Sequence, residues 1–552
     1  MKTRKNFLCA LLSLLSVSVL IGCKPQGIPV TSTSEEPIDK PLEIGDTVKE
    51  WCSKADYELL PMDVSEGGTG LREIATNFGS NDDQSLHFEV KGSSNGEGYI
   101  GTDLVEEPYF IEDDAKNGDI ISASVYLPKD NNLKSIELGL QPFNGNSAQI
   151  KGTKIEVTTE KEEKWMRLEG SFDTLETLGG IRIKYAAINK DQPVKFFVDD
   201  INIVLGEETK HTDYDYKGES LSETYEEYFK VGACMSSSQL HNTENRKIAK
   251  HNFNSLTAEN EAKPQHVLDQ EACKAGLTKG KDFVAITMEP FEKLYNFCEA
   301  SHIGVRHHTF VWYSQTPDWF FRQNFNQGGN YVSKDVMNQR LESFIKNTFE
   351  LLKKNYPTLN VYSYDVCNEL FVNDGGGMRP AGNSKWVQVY GDDSFVINAF
   401  KYARQYAPEG CLLTLNDYNE YMPAKTNDLV NMAKKIQAAG EGLIDCIGMQ
   451  SHLDVGYPSG QVYSTAVEKF LATGLEVQIT ELDITSNNQQ AQASLFKEIF
   501  SIAVKHADKI PAVTVWGTHD SISWRSSQNP LLFGANYSPK PAYYSVLEAA
   551  GA

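Results

Sequence analysis

The sequence predicts a chain in two parts, a β-sandwich of jelly-roll type over residues 48–207 and a (β/α)8 barrel over residues 221–552. Three observations carry this expectation. Short apolar runs that alternate, with Gly, Asn and Asp between them, fill the first part, and helical periodicity is absent there. From residue 221 the pattern changes to eight strand-like runs separated by longer amphipathic stretches, the order expected of a parallel barrel. At 552 residues, with 40% hydrophobic and 11% aromatic content, the chain is soluble-globular in composition and too long for one core.

Residues 1–22 are not read as fold. Lys2, Arg4 and Lys5 precede an apolar run from Phe7 to Ile21, too short and wrongly flanked for a membrane span, so the segment reads as a secretory signal. It ends on "LIGC", which resembles the lipobox of bacterial lipoproteins. That resemblance implies lipidation of Cys23, hence a secreted lipoprotein of the outer membrane, facing the cell surface or the periplasm, that meets the membrane only through its N-terminal lipid. Residues 23–47 then form a linker rich in Pro, Ser, Thr and Glu, suited to an extended tether.

The sandwich runs are "SLHFEV", "DIISASVYL", "SIELGL", "WMRLEGSF", "GIRIKYAA" and "VKFFVDDINIVL". Short strands at this spacing favour two packed sheets. Trp165 and Phe197 read as core residues of that sandwich.

The barrel runs are "FKVGACM", "FNSLTAEN", "GVRHHTFVW", "VYSYDVCNE", "CLLTLNDYN", "IDCIGMQSH", "LEVQITELDI" and "AVTVWGTHD". Between the third and fourth, residues 333–355 place Met337, Leu341, Phe344, Ile345 and Leu352 on one helical face, with Ser333 as the capping residue. A balance of 52 Lys+Arg against 75 Asp+Glu, net −23, repels phosphate backbones and anionic headgroups, so nucleic acid is excluded as a partner. Of nine cysteines, Cys9 falls in the signal and no pair has C-x-x-C spacing, which indicates neither a full disulfide framework nor a zinc site.

In such a barrel the polar residues at the carboxyl ends of strands line the active face. Glu369 ends the fourth run and Glu481 stands at the same level on the seventh, and strands four and seven face one another across the barrel. Two carboxylates looking into one cleft are the requirement for glycoside cleavage, about 5–5.5 Å apart when the configuration is retained.

Residues 221–550 resemble glycoside hydrolase family 10, the endo-β-1,4-xylanases, and the segments that carry the resemblance occur in order. "LTAENEAKP" implies that Glu259, Asn260 and Lys263 bind sugars on the non-reducing side of the scissile bond. "RHHTFVWYSQTPDWFF" implies that His308, Trp312 and Gln315 line the subsite of the distorted sugar. "YDVCNE" makes Glu369 the acid/base and Asn368 a ligand of the 2-hydroxyl, "GMQSH" supplies Gln450 and His452, and "ITELD" supplies Glu481 as nucleophile, oriented by His452 and Asp483. Trp516 and Trp524 offer flat apolar faces for sugar rings.

Three positions depart from the family pattern. Tyr313 stands where a second His is usual, His307 where Gly is usual, and Tyr364 where Trp is common. Tyr313 does not carry a positive charge as His can, which bears on the environment of Glu369. The pair His307–His308 is not read as a metal site, because neighbouring strand residues point to opposite faces.

The β-rich part resembles carbohydrate-binding modules of the group containing families 4, 9 and 22, through "SLHFEV", "DIISASVYL", "WMRLEGSF" and "FFVDDINI". Tyr99 stands where such modules show an aromatic that stacks on glycan. Together the resemblances imply a retaining enzyme that hydrolyses internal xylosidic bonds of xylan or xylo-oligosaccharides, with water as second substrate and with no cofactor and no metal. The alternatives are a surface glycan-binding protein without turnover and a β-1,4-glucanase built on the same barrel.

Overall fold

The computed structural model describes residues 44–551, less 52–56, 58–62, 65–68, 82–83, 104–117, 130, 143–149, 159, 208–213, 215–216 and 279–281. The expected signal, Cys23 and nearly all of the linker lie outside the described residues. The chain divides into two units at the Thr209/Lys210 junction.

In the first unit β1 (Thr47–Trp51), β3 (Thr69–Thr76), β4 (Gln84–Lys91), β6 (Ile120–Tyr126), β9 (Trp165–Ser171) and β11 (Val194–Val204) form a sheet in the order β3-β4-β11-β6-β9, with β1 also paired to β11. The second sheet has the order β2-β5-β10-β7-β8, from β2 (Asp63–Val64), β5 (Glu97–Asp103), β7 (Leu133–Pro142), β8 (Ile150–Glu156) and β10 (Leu178–Ala187). The pairings are antiparallel. Alternation along each strand sends one set of side chains inward. Leu86, Phe88, Ile121 and Val125 from the first sheet join Ile136, Leu138, Ile181 and Ile183 from the second in one core.

The same alternation corrects the reading of Trp165 and Phe197. Phe196 is the β11 residue that enters the core, so Phe197 points to the other face, where it is half-buried and sits 4.7 Å from Phe78. Trp165 joins that outer cluster, 5.7 Å from Phe78 and 5.5 Å from Tyr126. A run of two adjacent aromatics does not show which of them faces inward; pairing register does.

The second unit is a closed parallel barrel. Its staves are β12 (Lys230–Met235), β13 (Ser255–Ala258), β14 (Gly304–Trp312), β15 (Val361–Asn368), β16 (Leu412–Asp417), β17 (Cys446–Met449), β19 (Glu476–Thr485) and β20 (Ala512–Val515). Ring closure runs through β12–β20 on one side and β17–β19 on the other, and a short β18 (His452–Asp454) extends the β19 edge. All eight expected runs became staves, which is the (β/α)8 architecture.

The helices behave as their spacing predicts. Lys334–Asn355 is helical, the Ser333 side chain accepts the Val336 N–H, and Met337, Leu341, Phe344, Ile345 and Leu352 are buried. Within the barrel, odd positions of β15 face the axis: Ser363 meets Gln478 of β19, whereas Tyr364 stacks outward against Phe310. This parity delivers Asp365 to the interior, and a register shift against β16 after Asp365 resets it so that Asn368 and Glu369 reach the carboxyl-terminal mouth.

Candidate active site

Glu369 lies one residue beyond β15 and adopts the left-handed region, with φ of 53°. For a residue with a Cβ that conformation costs on the order of 1–3 kcal/mol, sustained only where neighbours hold it. The Glu369 N–H donates to the Asn416 carbonyl at 2.9 Å, and its Oε1 accepts from Gln450 Nε2 at 3.1 Å. Gln450 Nε2 also lies 3.1 Å from Asn368 Oδ1, and Asn416 Nδ2 donates to the same oxygen at 3.0 Å. Asn416 then reaches Glu481 Oε1 at 2.9 Å. A continuous line of amides therefore links the two carboxylates around the mouth of the barrel.

Space for that line depends on Gly448 of β17. A Cβ there would approach Asn416 Oδ1 to 2.5 Å, too close for any side chain without displacing the amide.

Glu481, nearly buried on β19, is surrounded by positive charge. His452 Nε2 is 3.2 Å from Oε2, and His452 Nδ1 is 3.0 Å from Asp483 Oδ2. Arg525 Nη1 and Trp524 Nε1 both donate to Asp483, at 2.6 and 2.9 Å. Burial pushes the Glu481 carboxyl up, but the bond from His452 and the charges of His308, His452 and Arg306 outweigh it and hold the group at about 2. For His452 burial works downward, and Asp483 with Glu481 overcome it and raise the imidazole to about 10. The result is a carboxylate and an imidazolium fixed side by side.

Beneath them, Arg306 and His308 of β14 both contact Asp365 Oδ2, His308 at 2.6 Å. His308, Asp365 and Glu481 bring three ligand-type atoms within 4.8 Å of one another. Arg306, fully buried, already supplies the cation that such a group would attract. His307 points the other way, its Nδ1 2.7 Å from the Tyr295 hydroxyl, and burial lowers its imidazole to about 3.

The end of β13 forms a second wall. Lys263 Nζ lies 2.9 Å from Asn260 Oδ1 and 4.9 Å above the Trp312 ring. Burial lowers the Lys263 ammonium, while Glu481, Glu259 and Glu369 pull it back up; burial raises Glu259. Gln315, with φ of 37°, is half-buried beside them, its carbonyl accepting the Gln265 N–H at 2.8 Å. Trp516 is 6% exposed and packs edge-on to His308, while Trp524 is 61% exposed. Tyr313 carries the Arg379 guanidinium 3.9 Å above its ring, so a cation stands at this position although the side chain itself has none.

The barrel residues expected to bind or act on sugar thus surround one mouth, Trp524 through its indole nitrogen on Asp483, whereas His307 and Tyr364 face outward against Tyr295 and Phe310. Arg306, Asp365, Arg379 and Asn416 were not singled out. Their signals were present: Arg306 and Asp365 are charges inside apolar strand runs, and Asn416 ends its strand as Asn368 does. Tyr99 belongs to the first unit, on the outer face opposite its core neighbour Ile100, with Arg182 5.1 Å from its ring.

A parallel barrel with two carboxylates and their amide and imidazole partners at the carboxyl ends of its strands is the construction of a glycoside hydrolase. Residues 220–549 match Glycosyl hydrolase family 10, and the chain belongs to that family. It is 60% identical over 333 residues, 60% of its length, to the bifunctional endo-1,4-beta-xylanase XylA of Ruminococcus flavefaciens, of which it covers 34%. It is 40% identical over 407 residues, 69% of its length, to endo-1,4-beta-xylanase Y of Acetivibrio thermocellus, of which it covers 37%. The chain therefore spans about a third of the length of these curated relatives. Among solved structures it resembles the CBM22-1 and GH10 modules of Clostridium thermocellum endo-1,4-beta-D-xylanase 10B, complexed with xylohexaose. The TM-score is 0.59 at 32% identity, over 87% of this chain and 94% of that one.

Proposed function

We propose that this chain is a retaining endo-β-1,4-xylanase. The observation that carries the reading is the amide line Gln450–Asn368–Asn416 joining Glu369 to Glu481 at one mouth. In the first step Glu481 attacks the anomeric carbon while Glu369 gives its proton to the leaving oxygen. The bond to the leaving sugar breaks and a glycosyl ester forms on Glu481. In the second step Glu369 takes a proton from water, whose oxygen attacks the same carbon and frees Glu481. The imidazolium of His452 and the guanidinium of Arg306 favour the ionised Glu481 that this chemistry needs.

The residues at β13 with Trp312 bind the sugars on the non-reducing side, and Trp516 and Trp524 offer ring faces to them. A β-glucan differs from xylan by the hydroxymethyl group on each ring, so xylan, mannan and β-glucan assayed in parallel test the substrate class. Reducing ends released from xylan alone support the reading, and preference for β-glucan overturns it.

The first unit is proposed to hold the enzyme on its polymer. A groove of about 510 Å³ is lined by Tyr99, Glu137, Lys154, Lys184 and Tyr185. Secretion and a lipid on Cys23 are proposed from the leader sequence, and mass spectrometry of the N-terminal peptide from membranes tests them.

A further inference from the structure

We propose that Lys425, outside the substrate cleft, is a positioning residue for Glu369. The inference rests on the xylanase reading and adds to it the part of the chain that sets the geometry of the acid/base. After Glu369 the chain turns through residues 370–379 and comes back: Arg379 N–H donates to the Leu370 carbonyl at 2.9 Å, and Arg379 Nε to the Glu369 carbonyl at 2.9 Å. The helix Pro423–Ala439 underlies this loop. Lys425, in its first turn, is fully buried, as is Asp417 at the end of β16, and Nζ lies 2.8 Å from Asp417 Oδ1.

The pair acts on the loop from both sides of its peptide groups. Lys425 Nζ donates to the Val372 carbonyl at 3.1 Å and lies 3.4 Å from that of Phe371. Asp417 Oδ2 accepts the Phe371 N–H at 3.3 Å, and Oδ1 accepts that of Tyr418 at 2.9 Å. Farther along, Asp428 of the same helix accepts the N–H groups of Gly376 and Gly377 at 2.7 and 3.0 Å. Between these ties Gly375, at φ of 83°, lies against the helix so closely that a Cβ would stand 2.3 Å from the Lys425 backbone nitrogen. The loop is thus seated on the helix at its base and at its tip.

A buried ion pair is a poor source of stability, because desolvation consumes most of its attraction and an apolar pair of the same size serves as well or better. What this pair supplies that an apolar pair cannot is a fixed direction for three peptide groups within three residues of Glu369. General acid catalysis depends on that direction, since the proton must be delivered along the line to the leaving oxygen. Lys425 touches no reacting atom, so its effect passes through Glu369 and grows with the leaving group's need for a proton.

The test uses the purified full chain and two substrates, an unactivated xylo-oligosaccharide and an aryl xylobioside with a dinitrophenolate leaving group. If the parent enzyme releases nothing from xylan, the xylanase reading itself fails and the variants are not needed. With an active parent, Lys425→Met is expected to lower kcat/KM on the oligosaccharide about tenfold and on the aryl glycoside less than about threefold, because only the first needs the acid. Asp428→Ala, at the exposed side of the same seat, is expected to show the same split at smaller size, and it decides the matter if Lys425→Met does not fold. Equal losses on both substrates, or no loss on either, overturn the proposal.

Discussion

His452 holds its Nε2 3.2 Å from Glu481 Oε2, with its other ring nitrogen 3.0 Å from Asp483. One imidazolium thus serves two carboxylates, and the pair His452–Glu481 explains why a glutamate that is 4% exposed stays ionised. A carboxylate alone in that setting would take up a proton and lose its nucleophilicity.

The sign of the pH dependence follows from the two groups. Glu481 is held below its ordinary 4.5, so the stability it contributes is present above pH 4.5 and is lost as pH falls towards about 2. His452 is raised above its ordinary 6.5, so its contribution is fully present below pH 6.5 and is lost as pH rises through about 10. Relative to the parent, His452→Asn is therefore expected to be most destabilised at about pH 5.5, and the gap should narrow by about pH 9.5. Urea denaturation at the two pH values measures this, and an equal gap contradicts the assigned shifts.

The acid role proposed for Glu369 predicts a separation of substrates by leaving group. Glu369→Ala is expected to lose roughly 10²–10⁴-fold in kcat on xylan and far less in kcat/KM on an aryl glycoside with a good leaving group. Azide should restore turnover of the aryl substrate by taking the place of water, yielding a glycosyl azide of retained configuration. Equal losses on both substrates would remove the acid from position 369.

Asn416 was not apparent as a functional residue before its contacts were known. It donates to Glu481 at 2.9 Å and to Asn368 at 3.0 Å. A hydrogen bond to a charged group is worth about 1.5–3 kcal/mol, so Asn416→Ala should cost roughly 10- to 100-fold in kcat/KM. Steady-state kinetics on xylo-oligosaccharides reads this directly, and a loss under about threefold would mean that Glu481 does not depend on the amide.

For the first unit, Tyr99→Ala in the full chain is expected to weaken retention on xylan in affinity electrophoresis by about 3- to 10-fold, the worth of one aromatic face. Turnover of a soluble aryl xylobioside should not change. Unaltered retention would place glycan binding elsewhere than on Tyr99.

The barrel was legible because each stave is a compact apolar run ending in polar residues, a pattern that depends on the strand alone. Glu369 and Glu481 were legible for the same reason. Arg306 and Asp365 were hidden because they neutralise each other across two strands, and a pair is visible only once β14 and β15 are side by side. Phe197 and Trp165 failed differently: which face an aromatic takes in the sandwich is set by register with neighbouring strands. The edge strands β3 and β8, polar and largely exposed, carry only scattered apolar residues, Leu71 and Ile74 in one and Ile150 and Ile155 in the other, too few to alternate clearly.

The most direct test of the central claim is covalent trapping. A 2-fluoro xylobioside with an activated leaving group slows both steps but the second more, so the glycosyl ester accumulates. Peptide mass spectrometry of the inactivated chain should find the fluoroxylobiosyl mass on Glu481; the label on another residue, or no label despite inactivation, would contradict the account.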